Sequence, residues 1–308
     1  FLTSDGIFSS NCCAFLMPLD KSSDESDIYN GTVRGGSLQV ITINLPQIAY
    51  EANGNDTRLF EILNDRMEKA KRVLTLRRDI IEKNLKTGML PFLDQKIDDN
   101  GTRYLEPDKQ SFTIGLVGMN EMVAAHTGEE LHQSPNAWKF GLMVMKFMKD
   151  KVSEYREKTG MNFALARTPA ESTAFRLARI DKKRYGDRAI VQGDMETNSI
   201  YYTNSFHVRP NANVPLFKRM SMEGAFHPLT DGGAMSHIWL GESNPDPEAL
   251  MNLTKKIATR TAIQYMSYTK DLTICDSCGN VEGGLLEKCS KCGSSHVQMM
   301  SRITGYYQ

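Results

Sequence analysis

Apolar positions along this chain fall into two rhythms. Residues 38–45 (LQVITINL) form a near-continuous apolar run closed by Pro46, which predicts a buried strand. Over residues 59–85 the spacing changes to three, four or seven. Phe60, Leu63, Met67, Ala70, Leu74, Ile81 and Leu85 share one face and the rest is largely charged, so a long amphipathic helix is expected. Residues 112–117 predict a second strand, running into Gly118 and a short helix. Trp138, Leu142, Met145, Met148, Val152 and Tyr155 mark a second long helix, with Gly160 as its C-cap. Residues 162–166 (NFALA) read as a short strand that meets a helix running from Thr168 to about Arg179. Further strands are expected over 201–208 and 236–240. Asp246 then caps a helix with Pro247 at its first position and Glu248 in its first turn, extending to about Tyr265. Strands alternate with helices and nothing repeats, which points to an α/β sheet or barrel.

Composition changes this picture little. The 308 residues correspond to about two domains, or one large one. Lys plus Arg and Asp plus Glu are both 37, a formal net charge of zero. A phosphate-backbone binder held by bulk charge is therefore disfavoured, although a local basic site is not. No apolar run reaches the roughly 20 residues of a membrane helix, and no signal peptide opens the chain, so a cytoplasmic protein is expected. The 17 methionines are scattered and read as core filler. The chain opens on Phe1 and enters loop-like text at once, which predicts an upstream part.

The cysteines add candidate chemistry. Cys275-x-x-Cys278 and Cys289-x-x-Cys292 are each followed by glycine, Gly279 and Gly293. Two such knuckles present four thiolates tetrahedrally, the geometry a structural Zn²⁺ accepts, and leave no open position for catalysis. Disulfides fit poorly with the cysteine-free stretch between Ala14 and Ile274. The vicinal pair Cys12-Cys13 lies in loop-like sequence with no metal spacing, and reads on its own as one buried and one incidental thiol.

Three further segments could carry chemistry. Thr168, Pro169, Ala170, Glu171, Ser172 and Thr173 stand where a strand passes to a helix. A helix N-terminus with hydroxyls beside it is a ready phosphate cradle, and the same residues could equally be helix caps. In residues 115–121 (GLVGMNE) the glycine spacing is not a dinucleotide fingerprint, but Asn120 and Glu121 could point into a pocket. His207 sits in the 201–208 run, and His227 with Asp231 flank a turn; a hydrolase-style His/Asp arrangement is the weaker reading and structural histidines the stronger.

Taken in order, VITINLPQIAYEA (40–52), TIGLVGMNEMVAAHTG (113–128), GMNFALARTPAESTAFRLARID (160–181), YYTNSFHV (201–208), FHPLTDGG (226–233), the double CxxC and RITGY (302–306) resemble the anaerobic (class III) ribonucleoside-triphosphate reductases, a glycyl-radical family. The resemblance implies half of a ten-stranded α/β barrel of glycyl-radical type over residues 1–270, including a cysteine finger loop at about 8–17. It implies a four-cysteine zinc module over 271–298 and a glycyl radical loop over 299–308. Gly305 matches the radical glycine. Only glycine suits that role, because its α-carbon radical can flatten and delocalise onto both flanking amides. The resemblance makes Cys13 the thiyl radical residue, with Cys12 the close alternative, since Ala14 stands where the family often has Arg. The 168–173 segment becomes the substrate phosphate cradle through Thr168, Ala170, Glu171, Ser172 and Thr173, and Asn120, Asn204 and His207 become substrate-pocket candidates.

The same resemblance implies an activase that uses an iron–sulfur cluster and S-adenosylmethionine, a ribonucleoside triphosphate as substrate, and a homodimer of the complete enzyme. It also implies an N-terminal half supplied separately. Two alternatives remain at this point. One is a glycyl-radical enzyme with another substrate, disfavoured by pairing a phosphate cradle with a zinc module. The other is a zinc-ribbon nucleic-acid-binding module on an α/β scaffold, disfavoured by zero net charge and by the absence of a Lys/Arg cluster around 275–300.

Overall fold

The computed structural model describes residues 36–168, 170–196, 199–240 and 245–300. It opens on strand β1 (Ser37–Asn44) and helix α1 (Leu45–Ala52), an element the sequence rhythm did not separate. Pro46 ends the strand as expected, and does so by opening that helix, where its missing N–H costs nothing. Helix α2 (Asp56–Lys86) follows, its first turn capped by the Asn55 side chain accepting from Arg58 N–H. Strand β2 (Ser111–Val117) then leads through helices α3 (Met119–Thr127) and α4 (Pro135–Thr159) to strand β3 (Phe163–Arg167). Gly160 closes α4 with φ 70°, a left-handed conformation that favours glycine.

These three strands form one parallel sheet in the order β1-β2-β3. Every residue of β2 and β3 is buried, as a parallel strand covered on both faces requires. Alternation gives the two faces different characters. Phe112, Ile114, Leu116, Phe163 and Leu165 join the main core with Leu63, Met67 and Leu74 of α2 and Met145, Met148, Val152 and Tyr155 of α4. The opposite face carries Thr113, Gly115, Ala164 and Ala166, small or polar residues, in the register Thr113↔Ala164 and Gly115↔Ala166.

Helix α5 (Glu171–Tyr185) leaves β3, and the short antiparallel strands β4 (Gln192–Asp194) and β5 (Ser199–Tyr201) follow. Helix α6 (Leu216–Gly224) precedes β6 (Ser236–Trp239), which pairs in parallel with β7 (Met266–Thr269) across helix α7 (Pro247–Arg260). The last three strands, β8 (Leu272–Cys275), β9 (Val281–Gly283) and β10 (Val297–Met300), form an antiparallel sheet in the order β10-β8-β9. The fold is α/β. Among the described residues no helix is long and apolar enough to cross a membrane.

Two expected elements are shorter than their rhythm. The strand over 201–208 ends at Tyr201. Beyond it, the Thr203 and Ser205 carbonyls accept from Gly118 and Met119 N–H, both at 2.9 Å, rather than from a neighbouring strand. Ser205 is left-handed at φ 49°, which breaks the extended course. Helix α7 stops at Arg260 rather than near Tyr265, because Thr261 is extended and the next residues are needed to bring β7 beside β6.

Candidate functional site

The C-terminal ends of β2 and β3 are where a parallel α/β sheet presents ligand-binding loops. Thr168 follows β3 there, 7% exposed, and its Oγ1 has no hydrogen-bond partner. Its hydroxyl lies against Gly115 so closely that a Cβ at 115 would fall 1.4 Å from it. Gly115 is therefore required by the neighbouring strand, and its φ is ordinary. Ala170 is the N-cap of α5 and no side chain caps that helix. Hydroxyl capping, the competing reading of this segment, is thus not what the structure contains. The backbones of Glu171, Ser172 and Thr173 form the first turn, with Ser172 exposed and Thr173 half-buried. An uncapped N-terminus with a buried, unpartnered hydroxyl beside it can accept an anion.

Next to it lies a cavity of about 20 Å³ lined by Arg167, Tyr201, Asn204, His207, His237 and Trp239, among others. Asn204 is 8% exposed and neither atom of its amide has a partner. His207 is held on both sides: its Nδ1 lies 3.0 Å from Glu223 Oε2, and its Nε2 accepts from Arg167 Nε–H at 2.9 Å. Glu223 Oε2 also accepts from the Ser236 hydroxyl at 3.0 Å, and Oε1 from Val208 N–H at 3.2 Å. Burial pushes the Glu223 carboxyl up, but His207, Arg219 and Ser236 together hold it below the usual value. Burial likewise keeps His207 below the usual imidazole range.

Asn120 is buried beside this region but does not line the cavity. Its amide donates to Glu121 and Glu130, and its Oδ1 accepts from Leu131 N–H. Glu121 is fully buried, accepting from Thr203 Oγ1–H at 2.5 Å, Thr203 N–H at 3.1 Å and Gln192 Nε2 at 2.9 Å. Burial outweighs these donors and raises its carboxyl above the ordinary range. A second buried group joins α1 to α5: Tyr202 OH donates to Asp181 Oδ2 at 2.9 Å, and so does Asn44 Nδ2 at 2.7 Å. Tyr50 OH lies 3.4 Å from Tyr202 OH, and burial lifts the Tyr50 phenol to about 12.

The hydrolase-style pairing of His227 with Asp231 does not form. Asp231 takes Lys149 at 2.6 Å, Arg156 and the Leu165 N–H, which tie its turn to α4 and β3. His227 Nδ1 accepts from Gln264 N–H, so its Nε2–H faces Ser236 Oγ at 3.1 Å. Burial lowers this imidazole to about 4, so it stays neutral at physiological pH.

The four C-terminal cysteines converge. Their ligand atoms all lie within 4.8 Å of one another. Cys275 and Cys292 Sγ are 3.5 Å apart, and Cys278 and Cys289 Sγ 3.7 Å. Four sulfurs at ~2.3 Å from one ion stand about 3.8 Å apart in a tetrahedron, so the set fits a metal. Both knuckles are built alike. Cys275 N–H donates to Asn280 O and Gly279 N–H to Cys275 O, and Cys289 and Gly293 repeat the pattern with Ser294 O and Cys289 O. Gly279 (φ 68°) and Gly293 (φ 73°) supply the left-handed turns. The backbone amides of Cys292 and Lys291 draw the Cys289 thiol down to about 7.

Cys12, Cys13, Pro169 and Gly305 lie outside the described residues. Sequence reasoning missed Arg167 and Glu223. Arg167 had a usable signal, a cation at a strand end just before the candidate cradle; Glu223 had none.

An α/β protein with a small polar cavity and an uncapped helix start at its parallel strand ends, and a separate four-cysteine cluster able to hold a metal, is the class these features define. The family profile described as anaerobic ribonucleoside-triphosphate reductase matches residues 2–308, and the chain belongs to that family. It is 26% identical to the anaerobic ribonucleoside-triphosphate reductase of Salmonella typhimurium over 96% of this chain and 42% of the relative. Against the same enzyme of Enterobacteria phage T4 it is 26% identical over 94% of this chain and 47% of the relative. A crystal structure of the anaerobic ribonucleotide reductase from Thermotoga maritima, in complex with dATP and CTP, superposes with a TM-score of 0.74 at 26% identity, covering 89% of this chain and 43% of that one. The chain thus spans less than half the length of these relatives.

Proposed function

We propose that this chain is the C-terminal catalytic part of an anaerobic ribonucleotide reductase that converts ribonucleoside triphosphates to deoxyribonucleoside triphosphates. The family match across residues 2–308 carries the reading. The unpartnered Thr168 hydroxyl at the uncapped start of α5 supports it, because triphosphate oxygens would satisfy both. Thr168, Ala170, Glu171, Ser172 and Thr173 form the phosphate cradle, and Asn204 with His207 lies on the substrate side; Asn120 supports the α3 end of the pocket.

On this reading a radical-SAM activase with an iron–sulfur cluster removes a hydrogen from Gly305, and the radical passes to Cys13 or Cys12. The thiyl radical takes the ribose 3′ hydrogen, and the 2′ hydroxyl leaves as water. Two electrons come from a reductant, formate or a dithiol. The parallel strands are part of a ten-stranded barrel over residues 1–270, with the finger loop at about 8–17, completed by an N-terminal half in a dimeric cytoplasmic enzyme. The module over 271–298 holds Zn²⁺ through Cys275, Cys278, Cys289 and Cys292 and supports the radical loop over 299–308.

Anaerobic treatment of the complete enzyme with activase and S-adenosylmethionine tests this. A doublet radical signal that is absent in Gly305→Ala, and triphosphate reduction that is absent in Cys13→Ala, are the expected results. No radical under conditions that activate a relative sinks the reading.

A further inference from the structure

The hydrogen bonds around the small cavity assign every proton in a buried chain. Gln264 N–H occupies His227 Nδ1 at 3.1 Å, so the His227 proton is on Nε2 and faces Ser236 Oγ. The Ser236 hydroxyl must then donate onward to Glu223 Oε2. Glu223 accepts from Val208 N–H and the Ser236 hydroxyl, and the Arg167 donor faces His207 Nε2, so His207 Nδ1 carries the proton and donates to Glu223. That leaves His207 Nε2 as a bare lone pair, and Arg167 Nε–H donates to it at 2.9 Å. Glu223 does not line the cavity, whereas Arg167, His207 and Asn204 do. The cavity, at about 20 Å³, has room for one water-sized group, such as a single anionic oxygen, by the usual threshold of ~10–15 Å³ for a water. It is lined on one side by the unpartnered, 8%-exposed Asn204 amide and on another by the Arg167 side chain, itself 3% exposed.

We infer that Glu223, acting through neutral His207, aims the Arg167 guanidinium into the cavity it shares with Asn204, making Arg167 and Asn204 an oxyanion-reading pair. Arg167 and Asn204 touch the ligand; Glu223 and His207 are positioning residues. The chemistry recognised is an anionic oxygen, either a phosphoryl oxygen of the nucleotide or a small carboxylate. The planar guanidinium pairs with both types of oxyanion, and the amide supplies a donor beside it. His207 therefore acts on the ligand at one remove. This deepens the proposed function and rests on it for the identity of the nucleotide.

The isosteric change Glu223→Gln is the sharpest test. Ser236 O–H and His207 Nδ1–H both point at Oε2, so the glutamine carbonyl takes that place and its NH2 is set against Val208 N–H; the charge is lost and the grip on His207 weakens. The chain has six histidines, so ¹⁵N spectra of histidine-labelled full chain are readable, with His207 assigned by its loss in His207→Gln. The wild type and Glu223→Gln should both show the Nδ1–H tautomer at His207, because Arg167 Nε–H occupies Nε2 in each. Binding is measured separately for inorganic triphosphate and for formate, the smallest carboxylate. Affinity should fall about tenfold or more in Glu223→Gln and in His207→Leu, the cost of losing a charge-assisted hydrogen bond. In His207→Gln, whose carbonyl can still accept from Arg167, it should stay within about threefold on the same grounds. If Glu223→Gln fails to fold, the His207→Gln and His207→Leu pair decides alone. Triphosphate binding alone assigns the site to the nucleotide; formate binding alone assigns it to a carboxylate. The inference is overturned by an Nε2–H tautomer in the wild type, by neither anion binding, or by equal binding in His207→Leu and His207→Gln. A wild type that binds its anion but forms no Gly305 radical fails the enzyme reading and leaves this one standing.

Discussion

The parallel sheet and the cysteine module are stabilised by different physics. In the sheet Ile114, Leu116 and Phe163 are wholly buried, and two long helices cover one face, with Met148 and Tyr155 of α4 wholly buried against it. In the module, over residues 272–300, only Thr273, Cys275 and Cys289 are buried, while Val281, Leu285, Leu286 and Met299 are exposed. A segment with so little apolar burial must find its folding free energy elsewhere, and a metal ion held by the four converging cysteines would provide it. Specific cross-links can thus substitute for a core, but only where spacing brings the ligands together.

Metal removal should separate the regions most strongly. Structural zinc contributes about 10–16 kcal/mol in small modules. A chelator should abolish hydrogen-exchange protection across β8, β9 and β10 and leave β2 protected; persistent protection in β8–β10 would break the contrast. Met148→Ala should do the converse. It should cost about 2–5 kcal/mol in urea unfolding of the sheet and leave metal content unchanged. Gly115→Ala should cost about 1–3 kcal/mol, because its Cβ displaces the Thr168 hydroxyl. Triphosphate affinity should fall with it, and an unchanged affinity would remove Thr168 from the cradle.

The smallest effect is in pH. Glu121 is raised by burial, so the stability it favours is full below its ordinary value of 4.5 and is lost as pH rises through its folded pKa. Glu223 is lowered, so its contribution is present above 4.5 and is lost as pH falls through its folded pKa. Urea unfolding from pH 4 to 8 should show Glu121→Gln gaining stability relative to wild type as pH rises. A flat difference would mean that the Thr203 and Gln192 donors, rather than burial, govern Glu121.

Much of the fold was legible. The β1, β2 and β3 strands announced themselves as short apolar runs and the α2 and α4 helices by apolar positions at period 3.6, while Gly160 marked the end of α4 and Asp246 the start of α7 by backbone chemistry. The 202–208 turn did not, since its apolar and aromatic text reads as strand while the carbonyls of Thr203 and Ser205 are claimed by α3. Of the site, Thr168 and Asn204 were found as candidates. His207 was found too, but not its partners: it grips Arg167 and Glu223, two residues the rhythm never singled out.

The chain alone determined the convergence of the four cysteines, because each Cys-x-x-Cys-Gly knuckle closes through backbone bonds within six residues, Cys275 to Asn280 and Cys289 to Ser294. It also determined the apolar faces that pack the sheet. Only the tertiary structure decided which titratable groups share a proton network. Arg167, His207, Glu223 and Ser236 come from β3, a turn, α6 and β6. Hydrogen bonding acts over about 3 Å in space and does not depend on separation along the chain, so such partners leave no period or spacing to read.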